Sequence, residues 1–335
     1  MSDLEELDPQ SREYQVVASL LAAVAKSTNR TSRWNHRILV DPDPKPSEVG
    51  WAHPDGTLTL SEAKVLEPLR AAFDARESGT ALDADGLDAL RDATATAVHE
   101  GAHLIDRDGA APDGHPVCDA PAIALDEGLV EQWTHDNLDD VIYEAGLDGD
   151  LPELTGHDSK NAYPAYTSAT RGLLDGIAPL TGRTPEELTT ELMATERSQR
   201  WNHIADLAIA YDLHGEATAG ERAGLANALR LQFSRAQEIQ ASDQLDPDAK
   251  KQQGWHVGRG TAALLEMELD RIRDTQEREP AADPELHRLA NLLRTQTAPR
   301  FARLAPPSHG SAARKHVEGD LRSAVDHQGS GHERD

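Results

Sequence analysis

Apolar positions recur at helical spacing through "EYQVVASLLAAVAKS", residues 13–27, and predict a first amphipathic helix. The pattern then changes. "RILVDPD" and "VGWAHPDGTLTLSEAKV" hold short β-prone runs, and Pro54-Asp55-Gly56 between two of them predicts a β-hairpin of roughly Val49 to Leu60. Residues 83–106 contain almost no Gly or Pro and are rich in Ala and Leu, which predicts a long helix. The Gly-, Pro- and Asp-dense "RDGAAPDGHPVCDAP" ends it, and Pro121 suits the first turn of a second helix, "PAIALDEGLVEQWTHDNL". After loops at about 146–165, Thr184, Pro185 and Glu187 supply the N-cap, N1 and capping-box chemistry of another helix start. Helical periodicity returns at 221–241 and 255–279, separated by "SDQLDPDAKKQQG". The pattern predicts an α+β chain, predominantly helical, with a small N-terminal sheet. Residues 1–215 form its first domain and 216–305 a helical subdomain, and from Pro306 the scarcity of large apolar residues predicts a disordered tail, 306–335.

Charge and composition narrow the functions available. The 335 residues carry 59 acidic against 33 basic side chains, a formal net charge of -26. That field repels phosphate backbones and anionic membrane surfaces, so neither nucleic acid nor membrane is an expected partner. Cys118 is the only cysteine, which excludes an intrachain disulfide and a cysteine-rich zinc knuckle. The acidic start "MSDLEELDPQ" lacks a signal-peptide pattern, and no apolar run approaches the length of a membrane span. The expected location is the cytoplasm, unless a secretion system or phage particle carries the protein out.

Within the long helix, "TATAVHEGAHLID" places His99 and His103 four residues apart with Glu100 directly after the first. Residues i and i+4 share a helix face, so both imidazoles can point at one ion, and neutral imidazole is a good Zn2+ ligand. Glu100 is displaced around the helix, where its carboxylate can reach a zinc-bound water and act as general base without binding the metal. Thr96, Ala97, Gly101, Ala102, Leu104 and Ile105 are all uncharged, as a metal helix running through a core requires. A chain with 15 histidines can spell this pattern by accident on a solvated helix, and the uncharged surroundings argue against that.

The third ligand has several candidates. A metzincin would carry Gly at 106 and His at 109, but Asp106 and Gly109 stand there. Asp113 and Asp119, in the loop, would serve an aspartate-type site. Glu127 lies 24 positions beyond His103 on the second helix, which a reversing loop would bring back beside the first pair. His99-Glu100-x-x-His103 followed by "LDEGLVE" resembles the gluzincin metallopeptidases, over about forty residues from Thr94 to Trp133. The resemblance implies a zincin-like fold for 1–215, zinc held by His99, His103 and Glu127, Glu100 as base, and Glu131 as a carboxylate orienting a histidine. Asp126 stands where the family usually has Asn. No exopeptidase element precedes the metal helix, so aminopeptidase activity is not supported.

The resemblance also implies an edge strand that pairs with extended substrate, a place "GTLTLS", Gly56 to Ser61, occupies in sequence order. It further implies an oxyanion donor from outside the metal motifs. Tyr166 is the first candidate and Tyr163 the second, ahead of His157 and His203; His115 is a candidate substrate contact, and Cys118 reads as a small buried filler. The function expected is zinc-dependent hydrolysis of peptide bonds in a peptide or protein substrate. The alternatives are a silent zincin-fold binding protein and a zinc hydrolase of a non-peptide amide or ester.

Overall fold

The computed structural model describes residues 4–42, 49–106 and 120–278. Asp113, His115, Cys118, Asp119 and the tail 306–335 lie outside the described residues. After the short strand β1 (Glu5–Glu6) comes α1 (Arg12–Ser27), then the strands β2 (Ile38–Asp41), β3 (Gly50–Ala52) and β4 (Leu58–Ser61). A π-helical turn, Glu62–Leu66, leads into α2 (Glu67–Ser78), and the remaining chain is α3 (Ala84–His103), α4 (Ala120–Glu144), α5 (Pro164–Thr181), α6 (Pro185–Ala194), α7 (Arg200–Asp212), α8 (Ala219–Phe233), α9 (Arg235–Ala241) and α10 (Pro247–Arg278). The chain is thus predominantly helical with a small N-terminal sheet, and no helix among the described residues is long and apolar enough to cross a membrane.

The sheet is mixed, in the order β1-β2-β4-β3. The hairpin read from Pro54-Asp55-Gly56 is β3 and β4, paired Gly50↔Leu60, Trp51↔Thr59 and Ala52↔Leu58. β2 adds in parallel on the other side of β4, Ile38↔Leu58 to Asp41↔Ser61, and this overturns one expectation. The segment Gly56 to Ser61 was the expected edge; instead β4 is interior, all four of its residues are buried, and the edge strand of the hairpin is β3.

Under the sheet, Val17, Leu20, Leu21 and Val24 of α1 are buried in one core with Ala97, Val98 and Ala102 of α3. This apolar seam holds the histidine end of α3 inside the molecule. Asp83 caps α3 by accepting from the Gly86 N–H at 2.8 Å, and the helix ends at His103, three residues short of the predicted Asp106. Thr184 and Glu187 form the capping box expected of them. α10 begins at Pro247, well inside the polar stretch read as a separator, because Asp246 accepts from the Ala249 N–H at 2.8 Å and starts the helix despite its charged sequence. α5 lies at the centre of the helical part, with α4, α6, α7, α9 and α10 all packed against it.

Candidate metal centre

His99 and His103 project from the last two turns of α3, both 6% exposed, and face Glu127 on the second turn of α4. Their Nε2 atoms are 3.1 Å apart, and Glu127 Oε2 is 3.2 Å from the first and 3.4 Å from the second. Three ligand atoms bound at 2.0–2.1 Å around a tetrahedral ion stand about 3.3 Å from one another, so these side chains are arranged as such a group requires. Among the described residues this is the group of His, Cys, Asp and Glu whose donor atoms converge on a point where a metal ion could be held.

The outer nitrogens explain why the inner ones converge. Glu131 Oε2 lies 2.8 Å from His99 Nδ1, and Asp126 Oδ2 lies 3.2 Å from His103 Nδ1. Glu131 is thereby placed to accept from the His99 Nδ1–H, which leaves the Nε2 lone pair of that ring aimed at the centre, while His103 Nδ1 lies between Asp126 and the donor-only guanidinium of Arg197. Two ring nitrogens and a carboxylate oxygen gathered this closely favour a cation among them, a proton or a metal ion. Burial pulls both imidazoles toward the neutral form, yet Glu127 and Glu131 hold His99 well above its ordinary pKa, and Glu127 and Asp126 raise His103. Glu127 is itself driven below the usual carboxylate range by the two histidines, against the opposing effect of burial. The cluster demands positive charge, and the carbonyl end of α3 adds to that demand.

Helix spacing accounts for the arrangement. Glu127 and Glu131 are one turn apart on α4 and straddle the single imidazole of His99, while Asp126 and Glu127 straddle His103. Glu131 is tied on its other oxygen, which accepts from the Ala162 N–H at 2.6 Å and lies 3.3 Å from His135 Nε2; it sits at a pKa of about 2 because His135 and His99 outweigh its burial. Asp126, 2% exposed, is gripped from α7 and the turn before it: Arg197 Nε is 2.7 Å from Oδ2 and Arg200 donates to Oδ1 at 2.6 Å. Arg197 also approaches His103 Nδ1 at 2.9 Å.

Gly128 brings α5 to this helix, since a β-carbon there would lie 2.2 Å from Thr170 Oγ1 and 2.6 Å from the Tyr166 carbonyl oxygen. The start of α5 therefore reaches the centre. Tyr163, the residue before α5, stacks on His99 with ring centroids 5.7 Å apart and lines the adjoining cavity. Tyr166 stacks behind Tyr163 at 5.8 Å and is buried. Of the two candidate tyrosines, Tyr163 is the one at the cavity wall. Burial and the nearby carboxylates push its hydroxyl well above the usual phenol range, so it stays a proton donor. His157 is exposed in a loop and His203 pairs with Glu191 at 3.4 Å.

Glu100 points to the other side of His99, beneath β3. Gly50 rests directly on it: a β-carbon there would come within 2.8 Å of Glu100 Cγ and 3.0 Å of Thr96 Cγ2. Its carboxylate accepts from the Ala52 N–H, and burial keeps its pKa above the ordinary value against the pull of the two histidines. The Ser61 N–H to Val49 and His53 N–H to Thr57 hydrogen bonds, at 2.9 and 2.8 Å, turn alternate β3 residues toward β4. Gly50 and Ala52 consequently direct their backbone groups outward, at the strand edge over Glu100. A cavity of about 580 Å³ opens here, with His99, Glu100, Gly50 and Tyr163 at one end.

Asp126, Arg197, Arg200, His135 and the Gly50–Ala52 edge escaped the sequence reading. Asp126 carried a signal, an acid beside the ligand; the arginines and His135 sit in no recognisable motif. No protein-family model, curated protein or solved structure matches the chain.

Proposed function

We propose that the chain is a zinc-dependent metallopeptidase of gluzincin type with a zincin-like fold, holding its ion through His99, His103 and Glu127. The observation that carries this reading is the coincidence of three converging ligand atoms with a buried, non-ligating carboxylate at the mouth of a cavity. A structural zinc site has no need of Glu100, and a closed one has no cavity beside it. A divalent ion at this point supplies Lewis-acid polarisation of a carbonyl and acidifies water.

The chain's own groups supply the rest. Glu100, with its raised pKa, takes a proton from the attacking water and returns it to the leaving amine. Tyr163 donates its hydroxyl to the oxygen of the carbonyl under attack, and its stacking on His99 sets the direction of that donation. The outward backbone groups of Gly50 and the Ala52 carbonyl hydrogen-bond an extended chain as an added strand, which favours a peptide over a small ester or amide. Glu131 keeps the His99 imidazole in the tautomer that leaves Nε2 free, and Asp126 with Arg197 fixes the orientation of the His103 ring.

The test is metal analysis of purified protein combined with hydrolysis of a denatured protein or peptide library. About one zinc per chain is expected, lost in His99→Ala with His103→Ala. Glu100→Gln should retain the metal and lose about 10²–10⁴-fold in turnover. Tyr163→Phe should lose about 10²–10³-fold with metal content unchanged. A metal-replete wild type that hydrolyses nothing would refute the enzymatic reading while leaving the metal centre intact.

A further inference from the structure

The cavity beside Glu100 does not stop at the reacting centre. Its α3 wall is the stripe Glu100, Thr96, Asp92 and Ala89, so it follows the helix away from the metal ligands toward the N-terminus. At 1.5 Å per residue, Asp92 lies about 12 Å along that axis from Glu100. The walls facing α3 include the short or apolar Ala63, Pro68 and Ala162. An extended lysine or arginine side chain spans roughly 6–7 Å from its Cα by standard bond geometry. With the scissile carbon at the level of Glu100, about 2.4 Å to the adjoining Cα, the fully extended side chain and a closing hydrogen bond of about 2.9 Å together span about 12 Å, which brings Asp92 within reach of the charged tip.

The other charges of the groove are already committed. Glu131 is engaged by His99, His135 and the Ala162 N–H. Lys64, on the opposite wall, has an interaction of its own. Asp92 uses Oδ1 to accept from the Lys160 N–H at 2.7 Å, which holds the loop before Tyr163, and its Oδ2 lies 3.1 Å from Lys160 Nζ. The Lys160 side chain is 86% exposed, so this ion pair is water-screened and weak, and a substrate cation entering along the groove can take its place. Lys160 in effect marks where a substrate ammonium or guanidinium would rest.

We propose that this groove is a specificity site for a substrate residue with a long unbranched cationic side chain, lysine or arginine, next to the scissile bond, with Asp92 as the carboxylate that receives it. The proposal rests on the peptidase reading above, and deepens it by naming the substrate class. The chain's formal charge of -26 favours the approach of such basic substrates.

The experiment uses polyalanine peptides that differ at one central residue, arginine, lysine, norleucine or glutamate. Initial rates and cleavage positions are measured on zinc-loaded wild type, and affinities on Glu100→Gln protein. Arginine and lysine should exceed norleucine by about tenfold in kcat/KM, the ratio that ~1.4 kcal/mol of charge-assisted bonding gives. Cleavage should fall on a constant side of the basic residue. Asp92→Asn, which retains an oxygen for the Lys160 N–H, should equalise the arginine and norleucine peptides. Lys160→Gln should widen their ratio by releasing Asp92. Norleucine equal to arginine in wild type, or a preference that survives Asp92→Asn, would overturn the proposal. If wild type cleaves no peptide, the peptidase reading fails separately. The affinities then decide on the groove: tighter arginine binding that Asp92→Asn removes supports it, and equal affinities overturn it.

Discussion

Two helix seams meet in this molecule and are built in opposite ways. Where α3 faces α4, the contact is made by side chains, and by charged ones: two imidazoles, Glu127, Glu131 and Asp126, with Arg197 and Arg200 behind them. Where α5 faces α10, glycines let the two backbones approach closely. A β-carbon on Gly254 would lie 2.3 Å from the Ala165 carbonyl oxygen, one on Gly258 2.0 Å from that of Ala169, and one on Gly172 2.6 Å from that of Trp255. The first seam burdens the fold with buried charge, and such charge is stable only while every partner is present. The second brings two backbones together and gains dispersion contact over a long interface. They are linked through α5, whose first residues place Tyr163 and Tyr166 beside the charged seam. The backbone seam therefore sets the position of both tyrosines.

The comparison is broken most severely at Gly258. Gly258→Val puts branched carbon against the Ala169 carbonyl and the Leu173 N–H, both backbone and unable to yield. The helices must separate, and a loss above about 4 kcal/mol is expected, as for severe overpacking. That is comparable with the whole stability of many domains. Gly224→Ala on α8, where a β-carbon meets nothing within 4 Å, is the control and should stabilise by up to about 1 kcal/mol through helix propensity alone. Chemical denaturation of the two variants reads the difference; equal effects would mean that α5 and α10 are not in close contact.

The charged seam is broken next most severely at Asp126. Asp126→Ala leaves Arg200, 1% exposed, and Arg197 without their carboxylate, and frees the His103 ring. Removing one member of a buried ion pair costs about 3–5 kcal/mol, which for a chain of this size lowers Tm by roughly 10 °C. Zinc affinity should fall as well. A melting temperature within about 2 °C of wild type would show that the two arginines find water or other acceptors, and that the cluster is not a closed unit.

How much of this could be read in advance follows the range of the interactions. His99, Glu100 and His103 were legible because one turn of helix places i and i+4 together whatever the rest of the chain does. Glu127 and Glu131 were legible for the same reason on a second helix, together with the family resemblance. Arg197 and Arg200 lie more than 70 residues from Asp126 in sequence, and nothing local marks an arginine that will be buried. The strand error has a similar cause. The turn at Pro54-Asp55-Gly56 specified a hairpin, but which of its strands is the edge depends on β2 joining β4 in parallel, a long-range choice. Nothing local separated Tyr163 from Tyr166 at the start of α5; Tyr163 lies at the cavity because the residue before a helix leaves the face that the helix packs.

The mildest test separates orientation from ligation within the charged seam. Glu131→Gln keeps the shape of the side chain, and its amide oxygen can still accept from His99 Nδ1 or from the Ala162 N–H. It removes the negative charge that makes the His99 imidazole a stronger donor, and it presents an NH2 to one of two groups that both offer N–H. Either His99 or the loop before Tyr163 must lose its partner. Substitutions of groups that orient a ligand histidine weaken metal affinity by about 10–100-fold, whereas Glu127→Gln removes a ligand and should cost more. Competition with a chelator of known affinity measures both. Because folding does not depend on the ion where α1 and α5 hold the two helices, the melting temperature of metal-free Glu131→Gln should stay close to that of metal-free wild type. If instead Glu131→Gln and Glu127→Gln weaken zinc equally, the two carboxylates share the ion, and the division between ligand and orienting acid on α4 is wrong.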